Sequence, residues 1–124
     1  MGLLDTLLGH AGEKDIAGLH EEFGPLLAPG EVLQRAFGFV RDLIVFTDRR
    51  MIIVDKQGVT GRKTSYLSIP YRAIVMYSIE TAGHFDLDSD LRIWVSSQPE
   101  PITRSLGRGA GVRDIIAILA QATR

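Results

Sequence analysis

The stretch FTDRRMIIVDKQGVTGRKTSYLSIP, residues 46–70, decides how the rest of the chain is read. It carries five basic residues around a glycine-punctuated middle, so it is either a phosphate-binding loop or the turn chemistry of a sheet. RMIIVDK is a β-branched run, and DLIVFT just before it is another. The DRR between them reads as a hairpin turn begun by Asp48. A second turn follows at KQGVTG, where Gly58 and Gly61 can take positive φ. It leads into RKTSYLSIP, which places Thr64, Tyr66 and Ser68 on one face of a strand and Ser65, Leu67 and Ile69 on the other.

Working outward, VLQRAFGFV precedes these strands, and AIVMYSIETA, DLRIWVS and ITRSL follow them. That makes about seven strands in succession with no crossover helix between them. VRDIIAILAQA places Val112, Ile115, Ile116 and Leu119 at helical spacing, with Asp114 in the first turn, so one amphipathic helix closes the chain. The opening residues carry two further helical stripes, Leu3, Leu4, Leu7 and Leu8, then Ile16, Leu19 and Phe23, ended by FGPLLAPGE. The expected architecture is mainly β: a bent antiparallel barrel, partly open, with a C-terminal helix capping one end. Residues 1–29 form a short N-terminal helical appendage and 30–124 the domain. Ile52, Val54, Ile79, Ile93, Ile115 and Leu119 are the expected core.

This order of seven strands and a capping helix is that of the pleckstrin-homology (PH) fold. FTDRRMIIVDKQGVTGRKTSYLSIPYRAI followed by SIETAGHFDLDSDLRIWV resembles the bacterial PH-domain family, once a domain of unknown function. The resemblance spans roughly Gly30 to Ala120, and the N-terminal helical segment also resembles members of that family. It implies a PH-like fold, no known enzymatic activity and the tendency of family members to form ring-shaped homo-oligomers.

The remaining residues narrow the chemistry. A chain of 124 residues without cysteine offers one core and neither disulfides, thiolate zinc sites nor a cysteine nucleophile. His10, His20 and His84 are too scattered for a metal cluster. Nothing at the N-terminus has the basic start of a secretory signal, and no apolar run reaches the ~18 residues of a membrane span, so a cytoplasmic protein is expected. GVTG before Arg62 and Lys63 matches the GXXG of RNA-binding KH domains but joins strands rather than helices, which argues against nucleic acid. It also lacks Walker spacing. GRGAG, Gly107 to Gly111, reads as a plain strand-to-helix loop. Asp86, Asp88 and Asp90 have the first spacings of a calcium loop, but Leu91 and Ser97 stand where glycine and glutamate are required. Trp94 is read as core, interface or cover beneath the helix. No catalytic constellation, cofactor motif or metal motif emerges, and a non-enzymatic module is expected.

Charge then carries the functional reading. Residues 48–72 hold six bases against Asp48 and Asp55, and residues 80–90 hold four acids and no base. Complementary patches at separate places favour head-to-tail contact between copies, which closes into a ring when the rotation allows. Arg62, Lys63 and Arg72 are expected on one side of that joint and Glu80, Asp86 and Asp88 on the other, with Phe85 in its apolar centre and His84 at the surface or interface. A further protein partner is left open. The alternative function is binding of an anionic lipid or small anion by Arg49, Arg50, Arg62 and Lys63. Membrane lipid is the lesser candidate, because the loop joining the first two strands holds Arg41 beside Asp42 rather than a basic cluster.

Overall fold

The computed structural model describes residues 12–13, 16–39, 42–57, 63–81, 83, 88–107 and 111–124. A two-residue strand β1 (Gly12–Glu13) and helix α1 (Ile16–Phe23), extended by a 3-10 turn at Gly24–Leu26, precede seven longer strands. These are β2 (Leu33–Gly38), β3 (Asp42–Thr47), β4 (Arg50–Gln57), β5 (Lys63–Pro70), β6 (Ile74–Thr81), β7 (Ser89–Val95) and β8 (Ile102–Gly107). A 3-10 turn, Tyr71–Ala73, separates β5 from β6, and helix α2 (Val112–Ala122) ends the chain. All seven expected strands and the closing helix are present. The stripe at Leu3–Leu8 lies outside the described residues, and β1 adds a strand in a segment expected only to join two helices.

The strands form two antiparallel sheets, β1-β2-β3-β4-β5 and β6-β7-β8. They do not close into a barrel. The departure has a local cause: at Pro70 the chain leaves the ladder with β4, turns through Tyr71–Ala73, and re-enters a sheet whose ladder partner is β7. Proline has no N–H to extend the first sheet.

Between the sheets lies the larger core, where Phe37, Phe39, Ile44, Phe46, Met51, Ile53 and Ile69 meet Leu91, Ile93 and Leu106. Helix α2 seats Val112, Ile115 and Leu119 on it. Phe37 and Phe46 contact edge to face with centroids 6.1 Å apart, an arrangement the ring quadrupoles favour. Of the expected core, Ile93, Ile115 and Leu119 lie here fully buried, and Ile79 packs against it only partly buried.

Ile52 and Val54 are buried elsewhere. With Leu33, Ala36, Leu43 and Val45 they form the opposite face of the five-stranded sheet, covered by Leu19 and Phe23 of α1. Neighbouring residues of β3 and β4 therefore enter two different cores, and both strands are sealed on both faces. Gly111 closes the architecture at the start of α2, where its φ is 109° and an added Cβ would stand 2.7 Å from the Phe37 ring. Only glycine fits there without displacing the ring or straining the backbone.

Candidate interaction surface

The β3–β4 turn organises one end of the molecule. Its hold comes from Thr47, whose hydroxyl accepts the N–H groups of Arg49 and Arg50, both at 3.0 Å. The same hydroxyl donates to Glu31 Oε2 at 2.7 Å. Asp48 begins the turn, as expected, and also ties it to the residue before β2, accepting the Val32 N–H at 2.8 Å while its own N–H donates to the Val32 carbonyl.

Glu31 is the centre of this network, with its side chain 1% exposed. Arg50 grips the carboxylate with two donors, Nε at 2.8 Å and Nη2 at 2.9 Å, and the Ala28 N–H adds a third nitrogen donor at 2.9 Å. A buried carboxylate with this many donors is stabilised as the anion. Arg50 is the largest influence holding its pKa down, to about 2, against the opposing effect of burial. Arg50 also donates to the Leu26 carbonyl and to Ser68 Oγ, so one guanidinium joins the segment after α1, Glu31 and strand β5. Nearby, Tyr71 donates its hydroxyl to the Thr47 carbonyl at 2.6 Å. Burial, then the charges of Asp48 and Glu31, raise that phenol well above its ordinary pKa.

This geometry sorts the residues expected to bind anions. Arg50 is committed inside the protein, and Arg49 rests Nη2 on the Pro29 carbonyl while remaining exposed. Lys63 is exposed at the opposite end of β5, paired in register with Gln57, whereas Arg50 pairs with Pro70. Seven steps along an extended strand make that separation roughly 23 Å. Arg49 and Arg50 thus stand at one end of the β4–β5 hairpin and Lys63 at the other, and Arg62 lies outside the described residues.

The interface candidates are likewise spread. Arg72 is exposed in the turn between the sheets, and Glu80 is exposed near the far end of β6, where it pairs with Arg92 of β7. Asp88 is exposed just before β7, and His84, Phe85 and Asp86 lie outside the described residues. Asp90, the third aspartate of the calcium-like spacing, accepts the Ser105 hydroxyl at 3.1 Å. Trp94 is half-buried and stands opposite Met76 of β6 in the ladder.

Sequence reasoning missed two features. The first is the Glu31 network, because Glu31 lies 16 residues from Thr47 and 19 from Arg50 and no local motif joins them. The second is β6, where Val75 is 65% and Met76 53% exposed on a strand that ends its sheet. A cue existed in IVMY, which does not alternate. A register shift between Ile74 and Met76 accounts for it, a bulge that leaves Val75 without a partner on β7. Among the described residues no helix is long and apolar enough to cross a membrane.

Known proteins agree with this architecture. The family model described as bacterial PH domain matches residues 2–123. The uncharacterized protein YjqA of Bacillus subtilis (strain 168) is 49% identical over 121 residues, 97% of each chain. The crystal structure of a pleckstrin homology domain from Shewanella amazonensis SB2B superposes with a TM-score of 0.84 at 50% identity, covering 99% of both chains. A pleckstrin-homology protein from Shewanella loihica PV-4 gives 0.81 at 42% identity, over 94% of this chain and 99% of that one. The strand order, the unclosed sheets with their capping helix, and these matches across nearly the whole length have one meaning: the chain belongs to the bacterial PH domain family.

Proposed function

We propose that this protein is a non-catalytic interaction module that assembles with itself into a ring and presents the assembled domains to a protein partner. The observation that carries this reading is the open edge of β5. This strand ends the five-stranded sheet and is eight residues long. An unpaired edge offers a row of backbone donors and acceptors to a second chain. Charge supports contact between copies. Lys63 is exposed at the first residue of β5, and Asp88 is exposed just before β7 of the other sheet, so charges of opposite sign stand on separate sheets. Opposite charges at separate places give a head-to-tail joint, the kind that closes into a ring.

Charge reversal tests the joint. The pair Asp86→Lys and Asp88→Lys should lower the sedimentation coefficient of the assembly, and adding Arg62→Glu and Lys63→Glu to the same chain should restore part of it. Sedimentation that ignores the first pair removes these charges from the joint.

A further inference from the structure

β6 differs from the other strands in what borders its open side. Ile74, Val75, Met76 and Tyr77 line a hollow of about 300 Å³ whose other wall is Thr123, just past the end of α2. The hollow is therefore a groove between an unpaired strand edge and a helix. The bulge at Val75 leaves two consecutive apolar side chains exposed there, a costly arrangement on an edge unless something covers them. Thr123 also borders a second hollow of about 430 Å³, which continues past Arg72 and Arg124 to Arg49. Three guanidinium groups from three separate segments thus stand at the end of β6 where the strand begins. Asp48 is the acid among them, and one of its oxygens already accepts the Val32 N–H. The Tyr71 hydroxyl is turned inward to Thr47, so its ring serves only as wall.

We infer that this groove takes an extended peptide segment of a partner protein, added as a fourth strand to β6, with apolar side chains over Val75 and Met76 and an acidic C-terminal end against Arg72 and Arg124. The polarity follows from the sheet. β6 runs from Ile74 to Thr81 and its own sheet is antiparallel, so an added antiparallel strand brings its C-terminal end to Ile74, beside Arg72. Main-chain pairing supplies affinity without regard to sequence, the apolar anchors add to it, and the arginines select the acidic end. This site deepens the partner-binding half of the proposed function and does not depend on the ring.

Two synthetic peptides of one composition test it, alternating Val and Thr residues with a pair of Asp at the C-terminus in one and at the N-terminus in the other. Titration into the full chain, followed by amide exchange, should protect the β6 amides with the first peptide and bind the second about tenfold more weakly, a difference of one favourable charged contact. Arg72→Glu should erase that preference, and Val75→Lys with Met76→Lys should abolish binding while leaving the solution mass unchanged. Equal binding of the two peptides, or β6 amides that stay unprotected at every peptide concentration, overturns the inference. A changed mass in the Val75→Lys, Met76→Lys chain also overturns it, because the edge would then belong to a second copy. Peptide binding by a monomeric chain would uphold the groove while refuting the ring, so the two readings fail separately.

Discussion

The two sheets are built by the same meander but treat their faces differently. In the five-stranded sheet, β3 and β4 are sealed on one face by the three-stranded sheet and α2 and on the other by α1. In the three-stranded sheet, Leu91 and Ile93 point inward, while Met76, Trp94 and Arg92 on the other face are half-buried or exposed. The first arrangement buries the sheet on both sides, and the second leaves one face partly open to solvent. The difference teaches that α1 is part of the fold rather than an ornament, because it turns an outer sheet face into a second core. It also places the free surface on the sheet that α1 does not reach.

Substitution can break this contrast, beginning with the largest expected effect. Phe46→Ala in the inner core and Phe23→Ala under α1 should each cost ~3–5 kcal/mol by urea denaturation, since both rings are fully buried. Loss confined to Phe46→Ala, with Phe23→Ala within ~0.5 kcal/mol, would reduce α1 to a loosely held tail. Leu119→Ala should cost ~2–5 kcal/mol if α2 seals the inner core as described. A surface-like effect there would place the helix elsewhere.

The Glu31 network sharpens the same contrast through pH. Its carboxylate is held to about 2 from an ordinary 4.5, chiefly by Arg50, so the folded state favours the anion. That contribution is complete above the ordinary value and is lost as pH falls through the folded one. It should amount to roughly 3 kcal/mol at neutral pH. Glu31→Gln should therefore be less stable than the parent at pH 7, and the gap should narrow between pH 4.5 and 2. A gap that stays constant across that window would show that the charge is not what matters. The smallest effect belongs to the open sheet face, where Met76→Ser should change stability by no more than ~0.5 kcal/mol.

How much of the fold and the site is legible in the sequence depends on the range of the interactions. LIVF and MIIV are continuous apolar runs, the mark of strands buried on both faces, and by themselves they announce the sheet buried on both sides. Leu19 and Phe23 announce a helix with an apolar stripe. What no local pattern states is that this stripe meets Leu43, Val45, Ile52 and Val54, so Ile52 and Val54 read simply as core. The turn at Asp48 is visible, yet Thr47 holds it, because a hydroxyl serving two N–H groups and a distant carboxylate has no signature in sequence. Basic residues 49–72 read as one patch when charge is counted along the chain. A hairpin of two eight-residue strands then carries Lys63 to the end opposite Arg49 and Arg50. Closure into a barrel fails for a similar reason, since Pro70 and the Tyr71 turn decide it by geometry rather than hydrophobic period.

Mass in solution tests the central claim most directly. Light scattering on the full chain should give several times the 13.7 kDa of one subunit, constant over a range of concentrations and falling only when high salt screens the charged joint. A mass of 13.7 kDa at every concentration and every salt level would contradict the self-assembling module.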